Sequence, residues 1–290
     1  MTELAQAVVN GLQMGFLYAL VAVGLTIIWG LMEMINFAHG EFLMLGMFGG
    51  WWLSASFGLD PLLAIVPIAV AMYAFGMLVY QQLMRRVQGG DPFTQIFATI
   101  GLLFLLQNGV VAVFTSDYRF VNEGLLVRLG GAKVQLVGLT FAMPLLLAAG
   151  LALLIFLALY VLIEHTELGL ALQATSEDRD AARLVGIRPQ RMFAMAWGLG
   201  AALVAIAGAI LVNFFSVYPQ VGLQFTVMAY AIVALGGFGS VLGTLFAALL
   251  VGVIQSVTVV YLPPAFKDAF VFGSYLLIGL LRPQGLFGRF

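Results

Sequence analysis

The chain has 290 residues, of which 63% are hydrophobic and only 9% charged, and its formal net charge is −1. A soluble domain carries roughly a quarter charged residues because its outside must stay solvated, so a soluble fold is excluded. The near-neutral balance excludes a basic nucleic-acid surface, and the absence of cysteine excludes disulfides and thiolate metal sites.

A helix needs about 20 apolar residues to cross a bilayer core. On that basis passes are expected at 6–30, 36–57, 62–84, 94–115, 140–163 and 193–216. The apolar stretch 223–261 holds two more, bent near GGFGSVLG at 236–243, and a last pass covers 265–282. The fold class expected is all-α, a polytopic transmembrane helical bundle of eight to nine passes with broken or re-entrant helices, as one domain over 1–290. The opening stretch MTELAQAVVNGLQMG has no basic region of the kind that precedes a cleaved leader, so its apolar run is expected to stay as a span.

Between the spans, 116–138 contains VRLGGAKVQLV, two short alternating runs that read as a hairpin around Gly130 and Gly131. The segment 164–192 is the most charged part of the chain. Alternating the passes puts Arg85, Arg86, Arg179, Arg183, Arg188, Arg191, Arg282 and Arg289 on one side, against Arg119, Arg128, Lys133 and Lys267 on the other. Basic loops stay in the cytoplasm, so the N-terminus is expected in the periplasm and the C-terminus in the cytoplasm.

Gly11 and Gly15, Gly46 and Gly50, and Gly239 and Gly243 are each four apart, a spacing that lets helix backbones approach closely. The run Gly236-Gly237-Phe238-Gly239 is dense enough to interrupt a helix. Glycine-interrupted segments near 40–50 and 236–243 have the look of transporter helices broken at a binding region. Polar residues such as Asn10, Gln13, Thr26, Gln107, Asn108, Asn213, Gln224 and Gln255 recur inside spans, where most are expected to satisfy one another between helices.

INFAHGEF at 35–42 concentrates polar chemistry inside this apolar setting. Asn36 lies three residues from His39 and four from Gly40, one face if the stretch is helical, whereas Glu41 points elsewhere. A carboxylate in lipid costs at least a few kcal/mol, so the stretch must face protein, water or a partner. Three readings stay open: a structural brace in which Asn36 caps a half-helix, the wall or gate of a translocation path, and a contact with a second membrane subunit.

SEDRDAARLVGI at 176–187 reads as a short amphipathic surface helix. Ser176 is the expected N-cap, Glu177, Asp178 and Asp180 supply acids for the first turn, and Gly186 ends the run. Ala181, Ala182, Leu184 and Val185 make the apolar side, flanked by Arg179 and Arg183. No H-E-x-x-H occurs and His165 lies far from His39 in the chain. No G-x-x-x-x-G-K-[ST] occurs, and neither Lys133 nor Lys267 sits in a phosphate-cradling loop, so ATP is not held here by that motif. Spans nearly free of charge also count against an ion-coupled pump.

INFAHGEFLMLG at 35–46, ELGLALQATSEDRDAARLVGI at 167–187, ALGGFGSVLGTLFAALLVG at 234–252 and LLRPQGLFG at 280–288 together resemble the permeases of bacterial branched-chain amino-acid ABC importers. The likeness is to the smaller permease subunit, the one that begins directly with its first span. It implies a transport subunit rather than an enzyme, in a bacterial inner membrane, forming half of a translocation pathway with a second, related permease. It implies two cytoplasmic ATPase chains that bind ATP and magnesium, a periplasmic binding protein that delivers the ligand, and no cofactor in this chain. Asn36, His39, Gly40, Glu41, Gly236, Gly237 and Gly239 are then candidates for the pathway or gate. Ser176 to Leu184 and Gly186 are candidates for ATPase coupling. Importers of urea or short amides have permeases similar to this one and remain an alternative, as does, more remotely, a stand-alone channel or secondary transporter.

Overall fold

The computed structural model describes residues 2–136 and 138–288. Arg289, counted above with the arginine-rich side, lies outside them. Among the described residues nine apolar helices form one bundle: α1 (Thr2–Met32), α2 (His39–Phe57), α3 (Ile65–Val79), α4 (Pro92–Phe114), α5 (Met143–His165), α8 (Pro189–Leu211), α9 (Val221–Gly236), α10 (Val241–Tyr261) and α11 (Lys267–Leu281). Two short polar helices, α6 (Glu167–Glu177) and α7 (Arg179–Leu184), join α5 to α8. Helix α3 runs on through a π-turn, Tyr80–Met84, as far as Val87. Seven helices have the length and hydropathy to cross a bilayer; α2 and the 16-residue α9 are not among them.

Helices α1 and α8 form the centre. The most apolar window of α8 is 83% buried and that of α1 78%, against 22% for α4 and 6% for α11, which lie at the rim. Close contact at the centre depends on residues without side chains. A Cβ on Gly11 would lie 2.6 Å from Val253 Cα, one on Gly24 2.7 Å from the Gly200 carbonyl oxygen, and one on Gly46 2.6 Å from Ala205 Cα. Apolar side chains gain little by leaving lipid for a helix interface, so backbone approach and dispersion have to supply the association.

The structure alters several sequence expectations. The glycines at 40–50 do not break a helix, because α2 is continuous through them. The break lies just before, at 33–38, where no helical hydrogen-bond ladder forms. Gly239 sits in the turn after α9 with φ 80° rather than in a helix, yet it still meets a helix backbone, since a Cβ on Gly30 of α1 would lie 2.8 Å from its Cα; Gly243 packs on Gly236. The hairpin exists further along than expected. Its strands are β1 (Lys133–Leu136) and β2 (Leu139–Ala142), antiparallel, with Lys133 opposite Ala142. Gly138, at φ 79°, serves the tight connection, whereas Gly130 and Gly131 close a single helical turn, Leu125–Arg128. Alternation flagged two strands, but the positive φ needed between them decided which glycine turns the chain.

Gly46→Val is expected to lower the thermal stability of the detergent-purified protein by about 1–3 kcal/mol or more, because a backbone rather than a flexible side chain blocks the new atoms. Gly101→Ala, with nothing within 4 Å of the added Cβ, is the control and should leave the melting temperature unchanged.

Candidate functional site

The break at 33–38 places α2 in an unusual position. Gly200 is the midpoint of the 23-residue α8, and Gly24 of α1 packs on it with the His39 ring alongside. His39 Nε2 lies 2.8 Å from the Val21 carbonyl oxygen, which fixes Nε2 as the donor. Helix α2 therefore begins level with the midpoint of α8 and with the last third of α1. Helix α1 continues eight residues past Gly24 before it ends, about 12 Å deeper at 1.5 Å per residue. Residues 33–38 climb back over that distance. Glu33 starts the climb in a left-handed conformation, φ 54°, with its N–H on the Trp29 carbonyl at 2.7 Å.

An extended backbone at this depth cannot be left to lipid. Met34, Asn36 and Ala38 are buried while Glu33, Ile35 and Phe37 are less so, the alternation of an extended chain. Side chains take the place of a ladder. The Asn36 N–H donates to the Tyr230 hydroxyl at 2.7 Å, Asn36 Oδ1 accepts from the Ala38 N–H at 3.1 Å, and the Thr99 hydroxyl donates to the Ile35 carbonyl at 3.3 Å. Asn36 thus organises the turn into α2, although it is not itself helical and shares no helix face with His39.

Helix α9 also starts inside the bundle. A Cβ on Gly222 would lie 2.5 Å from the Gly40 carbonyl oxygen, so the first turns of α2 and α9 touch backbone to backbone. The Gly40 N–H donates to Thr226 Oγ1 at 2.8 Å, and Thr226 in turn donates to the Gly222 carbonyl at 3.1 Å. Glu41 Oε1 accepts from Gln107 Nε2 of α4 at 3.0 Å. Asn36, His39 and Glu41 are fully buried and bind three different neighbours, α9, α1 and α4. Each also keeps one polar atom without a partner among the described residues: Asn36 Nδ2, His39 Nδ1 and Glu41 Oε2.

The glycine run serves a second junction. Gly237 has φ 98°, and a Cβ there would lie 2.5 Å from the Gly288 nitrogen; one on Gly236 would lie 2.5 Å from Gly243. The chain end locks onto this turn, with the Leu286 N–H on the Leu235 carbonyl at 2.8 Å and the Phe287 N–H on that of Gly236 at 3.1 Å. Gly239 borders a cavity of about 650 Å³ that also includes Glu33, Glu164 and Glu177.

At the arginine-rich end, the surface segment is two helices rather than one. Thr166 caps α6, its hydroxyl accepting from the Gly169 N–H at 3.2 Å. Ser176 is not an N-cap: α6 has not yet ended there, and its hydroxyl donates to the Gln173 carbonyl at 2.7 Å. Asp178 is extended and caps α7, accepting from the N–H groups of Asp180 at 2.8 Å and Ala181 at 3.0 Å. Those two donors hold its carboxyl below the usual aspartate range. The cap is accordingly intact at neutral pH and is lost as the pH falls through that lowered value. Gly186, φ 86°, ends α7 as expected: its N–H reaches the Arg183 carbonyl and that of Ile187 the Ala182 carbonyl, each at 3.0 Å. Ala182 faces inward at 3% exposure, against the expectation that it shares an outer apolar side with Ala181. Leu184 and Val185 are that outer side, 90% and 76% exposed.

A helical bundle with these four motifs in order can be set against known proteins. The family model described as branched-chain amino acid transport system / permease component matches residues 7–279. The chain belongs to that family. It is similar to the high-affinity branched-chain amino acid transport system permease protein BraD of Pseudomonas aeruginosa, 31% identical over 98% of this chain and 95% of the relative. It is equally similar to the LivH protein of that description from Escherichia coli, 31% identical with the same coverage. A probable branched-chain amino acid transport permease of Methanocaldococcus jannaschii is 26% identical over 94% of this chain and 89% of its own. No solved structure matches the chain.

Asn36, His39 and Glu41 of the permease carried a sequence signal, a polar run in an apolar setting, and are buried together; their partners carried none. Gln107 was one of many polar span residues, and nothing in its spacing pointed to Glu41. Thr226 and Tyr230 carried no signal beyond lying in an apolar run.

Glu41→Gln should leave protein level and melting temperature close to wild type, because the amide can still accept from Gln107. Glu41→Leu should lose about 1–3 kcal/mol by stranding the Gln107 amide. Adding Gln107→Leu should recover most of that loss, as a double-mutant comparison of thermal melts will show.

Proposed function

We propose that this permease is one membrane subunit of an ATP-driven importer of branched-chain amino acids, paired with a second, related permease. Two ATPase chains on the cytoplasmic side and a periplasmic binding protein complete the assembly. The observation that carries the reading is near-full-length similarity to permeases so described, together with an exposed apolar tip on the most charged segment of a membrane chain. Its arginine-rich end faces the cytoplasm, which leaves the N-terminus outside and the C-terminus inside.

In this reading Leu184 and Val185 on α7 dock in an ATPase cleft, with Arg179, Asp180 and Arg183 around them. The residues from Ser176 to Asp178 set the angle between α6 and α7. Four residues beyond Val185, α8 begins, and its rigid length runs to the level of Gly24 and His39. Displacement of the docked segment would thus reach the buried junction through one helix. Asn36, His39 and Glu41 hold that junction closed, each by a bond to a different neighbour. Gly236, Gly237 and Gly239 act at the inner end, tying the C-terminal tail to the turn before α10.

The substrate is tested by deleting this subunit and following radiolabelled uptake. Loss of leucine, isoleucine and valine uptake is expected; unchanged uptake of all three with loss of urea or short-amide uptake would overturn the substrate assignment. The purified chain alone in liposomes should pass no solute above background, since flux without ATP would mark a stand-alone channel. Leu184→Asp should abolish co-purification with the ATPases while leaving the melting temperature of the isolated permease unchanged. Ala182→Trp should instead destabilise the permease itself by about 1–3 kcal/mol, because that side chain is already packed within the chain.

A further inference from the structure

The arginine-rich end of the bundle carries a cavity that ATPase docking leaves unused. It lies between the end of α3 and the start of α8, has a volume of about 1070 Å³, and is lined by no carboxylate. Four arginines line it instead: Arg85 from the α3 side, Arg183 of α7, and Arg188 and Arg191 at the start of α8. Arg183 is paired with Asp180 at 2.9 Å, whereas Arg85, Arg188 and Arg191 have no carboxylate partner among the described residues. Three like charges gathered from two helix ends repel one another, and an anion between them turns that repulsion into attraction.

Helix α8 adds to the field. Arg188 stands at its N-cap position without a side-chain cap, and Pro189 follows as the first helical residue. The positive end of a 23-residue helix, with the Gln190 N–H beyond the reach of the ladder, therefore opens on the same cavity. The buried side of the cavity is mostly apolar. Met77 and Ala194 line it, together with Tyr80, whose hydroxyl is committed to Gln88 Oε1 at 2.5 Å.

What continues from the cavity along α3 identifies the occupant. Val66, Val70, Ala74, Leu78 and Gln82 stand four residues apart and are all exposed, so one stripe of the helix runs from the bilayer interior up toward Arg85. The most apolar window of this helix is only 28% buried, so the stripe meets lipid. The π-turn Tyr80–Met84 sits where the stripe changes from apolar to polar, and both Gln81 and Gln82 border the cavity. An apolar stripe that ends in unpaired guanidinium groups has the profile of a phospholipid, with an acyl chain along the helix and a phosphate at the arginines. A soluble anion, or an acidic side chain of a docked protein, would use the arginines but not the stripe.

We propose that this cavity holds the phosphate headgroup of an anionic phospholipid, which clamps the end of α3 to the start of α8. Basic pockets between spans suit such headgroups. In the orientation proposed above the lipid belongs to the inner leaflet, although the binding itself does not depend on that orientation. Arg188 follows the last residue of α7 by four positions, so the bound headgroup steadies the root of the exposed Leu184–Val185 tip. Affinity rises with headgroup charge, from zwitterionic phosphatidylcholine through phosphatidylglycerol to cardiolipin with its two phosphates.

The full chain, purified in detergent, is titrated with each of these three lipids. Retained lipid is counted by native mass spectrometry, and the melting temperature is followed in parallel. Wild type should retain one cardiolipin or phosphatidylglycerol but no phosphatidylcholine, and should melt higher with the anionic lipids. Arg85→Gln combined with Arg191→Gln should weaken that retention about tenfold or more, while its melting temperature in phosphatidylcholine stays that of wild type. Should the double variant fold poorly, Arg188→Gln alone carries the same comparison. Arg86→Gln, next to Arg85 but outside the cavity lining, is the control and should bind as wild type. Undiminished retention by the cavity variants, or an equal loss in Arg86→Gln, would show attraction spread over the whole surface and overturn the proposal. Displacement of the lipid by inorganic phosphate would assign the cavity to a soluble anion. Its expulsion when the ATPase chains bind would assign the arginines to an acidic face of that partner. Either result overturns the lipid site, and the count on the isolated chain stands whether or not the importer reading does.

Discussion

A backbone that crosses the middle of a bilayer without a helix must find a partner for every polar group, and six residues of this chain impose that requirement on the rest. Residues 33–38 return from the end of α1 to mid-depth, and the bonds that serve them come from Trp29 on α1, Tyr230 on α9, Thr99 on α4 and the Asn36 side chain itself. Unpaired groups there would cost several kcal/mol apiece. The helices around the break are consequently fixed in position by its needs. The glycines that let α1, α2, α8 and α9 touch are what bring the donors within reach.

That arrangement makes the centre of the protein polar in a specific and economical way. His39 bonds to the main chain of α1, Gly40 to a threonine of α9, and Glu41 to a glutamine of α4, so one turn of α2 is tied to three neighbours. A helix anchored so tightly at its start can move only if its neighbours move too. Helix α8, which carries the midpoint glycine of this junction, is also the helix that follows the charged surface segment. Leu184 and Val185 lie only a few residues before α8, and the glycine-containing α9–α10 turn is held by residues 286 and 287.

Helix α1 makes contacts of different kinds on its two sides. One side holds His39 and the start of α2 by hydrogen bonds sealed from solvent. The other packs on α10 backbone to backbone at Gly11 and Gly15, with the Thr26 and Thr244 hydroxyls meeting at 2.6 Å further along. Because α1 is a single unbroken helix of 31 residues, a shift on one side is felt on the other.

Much of this was written in the order of residues. Hydropathy alone located all nine helices to within a few residues, because a lipid solvent permits so few alternatives for the backbone. The polar cluster at 36–41 announced itself by the cost of placing it there, and Gly186 announced the end of α7 by its freedom at positive φ. Local pattern failed where two candidates had equal chemistry: Ser176 and Asp178 are both good N-caps, and the kink between α6 and α7 selected the second. Gly130-Gly131 and Gly138 could each have turned the hairpin, and strand register selected the latter. Composition could not tell that α2 starts at mid-depth, since a mostly apolar helix of nineteen residues reads the same wherever it begins. Nor could it pair Glu41 with Gln107, Asn36 with Tyr230 or Tyr18 with Gln255, which lie 66, 194 and 237 residues apart. Those pairings exist only because glycine contacts set the helix depths, and depth is a property of the packed bundle, not of any one segment.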